Sequence, residues 1–113
     1  MLAKKYRLPI QNVINKKAKI IRGQYYSIKI FPNSLPYCRF GLSVSKKVSA
    51  KAVIRNQIKR QIFNGIRKEL FESGNPTESL GGNDFLIILY PEIGKLDKNE
   101  ISRQFDEIIN KIR

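Results

Sequence analysis

The spacing of hydrophobic positions changes several times along this chain, and each change marks an element. Leu8, Ile10, Val13, Ile14, Ala18 and Ile21 stand among basic residues. Ile10, Val13 and Ile14 fall at helical spacing behind Pro9, which suits a first turn, so a short helix is predicted over 9–16. From Gln24 to Phe31 the period drops to two: Tyr26, Ile28 and Ile30 share one face of a strand, and Tyr25, Ser27, Lys29 and Phe31 share the other. Pro32-Asn33-Ser34 supplies a turn. A second strand is predicted over 39–48, with Phe40, Leu42 and Val44 on one side. Its other side carries the small, polar or basic Arg39, Gly41, Ser43, Ser45 and Lys47. A sheet of this kind takes helices on its apolar face and leaves the other open.

From Ala52 to about Glu72, Ile54, Ile58, Ile62, Ile66 and Leu70 recur every fourth residue, as in a long amphipathic helix. At roughly 100° per residue, Arg55, Asn56, Lys59, Arg60 and Arg67 cluster away from Ile54, Ile58 and Ile62, and Gly65 falls on the packed side, where it permits close approach to the sheet. Residues 73–83, rich in Gly, Ser, Asn and Pro, read as a loop. The continuous apolar run Phe85–Tyr90 is a strand buried on both faces, ended by Pro91 and Gly94. Asp97 and Glu100 form a capping box ahead of a final helix patterned by Ile101, Phe105, Ile108, Ile109 and Ile112. The fold class is therefore α/β: a two-layer sandwich in the order helix, strands, helix, strand, helix, forming a single domain over 1–113.

Charge sharpens this picture. No Asp or Glu occurs before Glu69: residues 1–68 hold 17 Lys and Arg, and residues 69–113 hold 5 against all 9 acids, so the parts carry +17 and −4 (5 − 9). A net +13 on 113 residues opposes compaction by self-repulsion and points to a polyanionic partner, foremost nucleic acid. Lys46, Lys47, Lys51, Arg55, Lys59, Arg60, Arg67 and Lys68 form its densest stretch. Arginine forks clamp phosphates, lysines supply compact charge, and Asn56 both donates and accepts, or holds the helix start to the preceding turn. The chain has no histidine and one cysteine, Cys38, which removes internal disulfides, Cys–His metal sites and Cys–His nucleophile pairs. Cys38 reads as a small buried filler. No apolar run approaches the roughly 18 residues that span a bilayer, and no signal-peptide stretch follows the basic N-terminus, so a cytoplasmic location is expected.

The run Arg39-Phe40-Gly41-Leu42-Ser43-Val44-Ser45-Lys46-Lys47-Val48, followed by Ala52-Val53-Ile54-Arg55-Asn56 and Lys59-Arg60, resembles the protein subunit of bacterial ribonuclease P. Lys5-Tyr6-Arg7-Leu8 and Asp84 agree more loosely. The resemblance implies a left-handed βαβ crossover through the basic helix. It also implies an accessory subunit of an endoribonuclease that matures the 5′ end of transfer RNA, with ribonuclease P RNA and precursor tRNA as partners. On this reading Mg²⁺ held by the RNA performs hydrolysis, and no residue of the chain is catalytic. RNA binding falls to Lys46, Lys47, Lys51, Arg55, Asn56, Lys59, Arg60 and Arg67, and the 5′ leader to a sheet cleft with Tyr25, Lys29, Ser43 and Ser45 as candidates.

Three departures from the family pattern bear on this. Phe63 stands where another arginine is usual, Ile10 and Ile14 where the first helix carries aromatics, and Ile28 where the strand does. Base stacking in the cleft is weakened accordingly, and Phe63 is expected in the core. A ribosomal or ribosome-associated RNA-binding protein shares the charge and the lack of catalytic groups, and only the motif separates the two. A DNA-binding module would need the helix set in a groove beside a partner helix. An autonomous nuclease would need the carboxylate or histidine clusters that the basic region lacks.

Overall fold

The computed structural model describes residues 7–9, 17–68 and 82–112. The helix expected over 9–16, the end of the long helix beyond Lys68 and most of the 73–83 loop lie outside the described residues. Four strands form one sheet: β1 (Lys19–Arg22), β2 (Tyr26–Pro32), β3 (Arg39–Ser43) and β4 (Asn83–Leu89), in the order β1-β2-β4-β3. α1 (Ala52–Ile66) links β3 to β4, and a 3₁₀ turn (Pro91–Lys95) leads into α2 (Lys98–Ile112). β2 is antiparallel to both β1 and β4, while β3 runs parallel to β4. The β3–α1–β4 segment is thus a crossover between adjacent parallel strands; the pairing fixes the connection and not its hand.

Register decides which side chains share a face. Tyr26, Ile28 and Ile30 stand opposite Leu89, Ile87 and Phe85, and Phe40 and Leu42 pair with Phe85 and Ile87. The Phe40 and Phe85 rings stack with centroids 5.2 Å apart. This apolar face packs against Ile58, Ile62, Phe63 and Ile66 of α1 and against Ile101, Phe105, Ile108, Ile109 and Ile112 of α2. Phe63 is buried there, as its place beside the core predicts. Cys38 is buried too, and burial pushes its thiol up to about 11. A smaller cluster of Leu8, Phe31 and Leu86 occupies the opposite face, where Leu8 N–H donates to the Phe40 carbonyl (2.9 Å).

The start of the last helix follows from the sequence. Asp97 Oδ1 accepts from Glu100 N–H (2.8 Å) and Glu100 Oε1 accepts from Asp97 N–H (3.1 Å), the reciprocal bonds of a capping box. Near its other end, Glu107 accepts from the Tyr26 hydroxyl (2.6 Å) and pairs with Lys111 (3.2 Å). Lys111 in turn donates to the Arg22 carbonyl (3.4 Å), so α2 is tied to the β1–β2 hairpin.

Several expectations need correction. β3 stops at Ser43, not Val48, because Ser45–Val48 fold into a turn closed by Val48 N–H to the Ser45 carbonyl (3.0 Å). β1 is an additional strand: Lys-Ile-Ile-Arg lacks alternation and shows no strand period. Gly65 permits close approach to α2 rather than to the sheet, since a Cβ there would stand 2.7 Å from the Phe105 ring. No helix among the described residues is long and apolar enough to cross a membrane.

Candidate nucleic-acid interface

The open sheet face is assembled from alternate residues of all four strands. Ile20 stands opposite Lys29 and Arg22 opposite Ser27, while Ser27 and Ser43 both pair with Ile88. These positions form a patch with cations on the β1–β2 side and Ser43 on β3; Ser27 is buried, and the cluster of Leu8, Phe31 and Leu86 covers part of the same face. Lys29 and Ser43 are half-buried, Arg22 is exposed, and Ile20 is one of the few large apolar side chains left exposed. Arg22 and Ile20 escape sequence reasoning because the strand that carries them does; the only available signal is the basic-apolar tetrapeptide just before Gly23.

Two of the four cleft candidates sit elsewhere. Tyr25 precedes β2 at a bend, where the strand alternation has not begun. It packs against the helix-side core and lines a small hollow with Leu96, Glu100 and Arg103. Tyr25 is therefore separated from Lys29 and Ser43 by the thickness of the sheet. Ser45 lies beyond the end of β3, exposed, and its Oγ accepts from Lys47 N–H (3.3 Å), a bond that shapes the turn presenting Lys46 and Lys47. Lys29 and Ser43 do share the open face.

One end of this face is fixed by an ionic network. Asp84, buried at the start of β4, receives both arms of Arg39, Nε to Oδ1 (2.9 Å) and Nη2 to Oδ2 (2.7 Å). Asn33 Nδ2 donates to the same Oδ1 (2.6 Å), while Asn33 Oδ1 accepts from Leu35 N–H (2.9 Å). Bidentate pairing raises the Arg39 pKa further above its ordinary value, chiefly through the hydrogen bonds to Asp84. Arg39 is thereby committed to the fold.

The basic stretch divides into two groups. The buried stripe of α1 runs through Ile58, Ile62, Phe63 and Ile66, wider than the isoleucine spacing alone implies. At roughly 100° per residue, Arg55 and Lys59 fall beside Ile62 and Ile66, whereas Asn56, Arg60 and Arg67 lie about 100° farther round. Burial agrees: Arg55 and Lys59 are half-buried, and Asn56, Arg60 and Arg67 are exposed. The single cluster of the sequence reading is in fact two flanks of one helix. Arg55 Nη1 donates to the Ser49 carbonyl (2.8 Å), so the task of holding the helix start to the turn falls to Arg55 and not to Asn56.

The helix start adds to the positive field. Lys51 is the N-cap residue, no side chain caps the helix, and the first turn contains no acid. The positive end of the helix dipole therefore stands beside exposed Lys46, Lys47 and Lys51 with no carboxylate in the first turn to offset it. The ion pairs Arg39–Asp84 and Lys111–Glu107 both lie outside the Lys46–Lys68 stretch. Among the described residues no three His, Cys, Asp or Glu gather in a group that could hold a metal ion.

Known proteins share this sequence pattern and this fold. Residues 4–113 match the sequence model of the family Ribonuclease P. The "Ribonuclease P protein component" of Mycoplasma mycoides is 30% identical over 109 residues, covering 96% of this chain and 94% of that protein. The protein of the same name from Geobacillus kaustophilus is 29% identical over 117 residues, covering 97% and 88%. The fold also coincides with solved structures: the Staphylococcus aureus RNase P protein superposes with a TM-score of 0.76 at 20% identity, covering 96% of this chain and 95% of that one. The Thermotoga maritima RNase P protein gives 0.71 at 22% identity, with 94% of both chains covered. The chain belongs to the ribonuclease P protein family, whose members take part in transfer RNA processing together with an RNA partner.

Proposed function

We propose that this chain assists endonucleolytic removal of the 5′ leader from precursor tRNA by holding RNA on two surfaces. The Lys46–Lys51 turn and the exposed flank of α1, with Asn56, Arg60 and Arg67, grip the phosphates of the catalytic RNA. The sheet face opposite the helices, with Arg22 and Lys29 on its β1–β2 side and Ser43 on β3, receives the single-stranded leader. The aromatic side chain of this face, Phe31, is buried, so leader binding depends on charge more than on stacking, which supplies roughly 1–3 kcal/mol per base where aromatics are accessible. Hydrolysis belongs to Mg²⁺ held by the RNA and substrate: lysines and arginines repel a divalent cation, and the basic stretch offers it no carboxylate. The chain acts in the cytoplasm, where precursor tRNA is made.

The observation that carries this reading is the coincidence of a family match over 4–113 with cationic surfaces built from a segment that contains no acid. The test is cleavage of a precursor tRNA by a bacterial ribonuclease P RNA, titrated with Mg²⁺ in the presence and absence of the chain. The chain alone should be inactive, and with the RNA it should lower the Mg²⁺ needed for cutting at the mature 5′ end. Cutting by the chain without RNA, or an unchanged Mg²⁺ requirement, refutes it.

A further inference from the structure

On the helix side of the molecule, away from the open sheet face, α1 and the 3₁₀–α2 corner enclose a groove of about 730 Å³. Its floor is aliphatic, with Ile54, Ile58 and Ile101 at its centre. Amides from Gln57 and Gln61 stand on the rim, together with the cations Arg60 and Lys98, and no carboxylate is among its lining residues. Gln61 is already held in place, its Nε2 donating to the Lys98 carbonyl (3.1 Å) and to Ser102 Oγ (3.0 Å). Those bonds use its nitrogen and leave the oxygen as the atom able to meet a donor. Val53, 59% exposed on the preceding turn of α1, adds apolar surface close to Arg60 and Gln57 on the helix.

The three zones suit a nucleotide. An aromatic base satisfies an aliphatic floor, its hydrogen-bonding edge satisfies amides, and its phosphate satisfies two cations that lack acidic partners in the groove. The volume lies within the roughly 300–1,000 Å³ of small-ligand sites. An acidic peptide would meet the same three zones, but Arg60 on the rim belongs to the exposed cationic flank of α1 assigned to RNA above, which favours RNA as the occupant. We infer that the groove takes an unpaired nucleotide of bound RNA, with the base over Ile54 and Ile58, its edge toward Gln57 and Gln61, and its phosphate between Arg60 and Lys98. This rests on the reading that the chain binds RNA, and it adds Lys98 and Gln57 to the interface.

The experiment is a titration of the isotopically labelled full chain with a short unstructured RNA oligonucleotide, and separately with an acidic amphipathic peptide, followed by NMR. Saturable shifts of the Ile54, Ile58 and Ile101 methyl resonances by RNA are expected. Lys98→Ala should make the salt dependence of binding shallower by about 0.7 in log–log slope, the value of one single-strand phosphate contact. Gln57→Glu should weaken binding as well, and both positions are exposed, so the dispersed spectrum should persist. Shifts confined to the open sheet face and the exposed flank of α1 overturn the groove assignment and leave RNA binding standing. So do groove shifts produced by the peptide and not by RNA. Absence of any RNA binding by the folded chain overturns both.

Discussion

Replacing Asp84 by Asn tests whether the open face is held in shape by the ionic network beneath it. The substitution keeps the side-chain size but removes the charge that receives both arms of Arg39, and it offers Asn33 a single carbonyl oxygen in place of a carboxylate. Breaking a buried ion pair by removing one partner costs roughly 3–5 kcal/mol, because the remaining charge is left uncompensated. Asp84 is 3% exposed along its side chain and Arg39 22%, so the stranded guanidinium retains some access to water and the lower end, about 3 kcal/mol, applies. For a domain of this size each kcal/mol lowers Tm by roughly 4 °C, which gives a fall of about 12 °C by thermal denaturation. The double variant Arg39→Met/Asp84→Leu removes both charges and should recover most of that loss, since apolar replacement of a whole pair is often close to neutral. A Tm for Asp84→Asn close to that of the wild type, or a double variant no better than the single one, would refute the assignment of Asp84 as the fixed end of the face.

Three further outcomes follow from the same geometry. Lys29→Ala and Arg22→Ala should each reduce the preference for precursor over mature tRNA in binding titrations, whereas Tyr25→Phe should not, because Tyr25 packs on the helix side; a selective loss with Tyr25→Phe would put the leader on the wrong face. Arg60→Ala should weaken RNA binding and flatten its salt dependence by roughly 0.7–0.9 per lost phosphate contact with the fold intact. Arg55→Ala should also destabilise the chain, since it releases the Ser49 carbonyl, and equal thermal stability of the two variants would contradict that difference. Cys38 contributes to alkaline sensitivity: its folded pKa is raised to about 11 by burial, so its stabilisation is complete below the ordinary thiol pKa and is lost as pH rises through about 11. Cys38→Ala should therefore reduce the stability lost between about pH 9 and 11 by roughly 2 kcal/mol, measured by urea denaturation, and an unchanged loss would place the titration elsewhere.

What the sequence made legible depended on whether a residue's role was local. The central strand, expected over 85–90 and found over Asn83–Leu89, the capping box of Asp97 and Glu100 and the apolar stripe of α2 are set by neighbours within a few residues, and periodicity or spacing reveals each of them. β1 has no such statement: four residues on a sheet edge acquire strand form only by pairing with β2. The same limit governs the interface. Lys46, Lys47, Lys51, Asn56 and Arg60 are visible because a dense run of cations needs no tertiary knowledge, but the division of α1 into two flanks depends on how far round the helix its partners reach. Phe63 widens the buried stripe, and that leaves Arg55 and Lys59 beside the core.

The distribution of acids explains why so much of the positive field survives folding. The described carboxylates with identified partners are engaged in structure: Asp84 with Arg39 and Asn33, Asp97 and Glu100 with each other's backbone, Glu107 with Tyr26 and Lys111. Of the two ion pairs among them, only Asp84 takes its cation from the acid-free first 68 residues, and Arg39 lies before the Lys46–Lys68 stretch. The Tyr26 hydroxyl and Lys111 lower the Glu107 pKa from its ordinary value, which favours the charged carboxylate at the α2 end. Had these acids been interspersed along α1, i,i+4 pairing would have favoured the helix by a few tenths of a kcal/mol per pair and neutralised its exposed cationic flank. Keeping them on β4 and α2 satisfies the fold's need for carboxylates on elements that do not bear the Lys46–Lys68 charge. Among the described residues, the carboxylates with identified partners thus stand on other elements than the cations of the Lys46–Lys68 stretch.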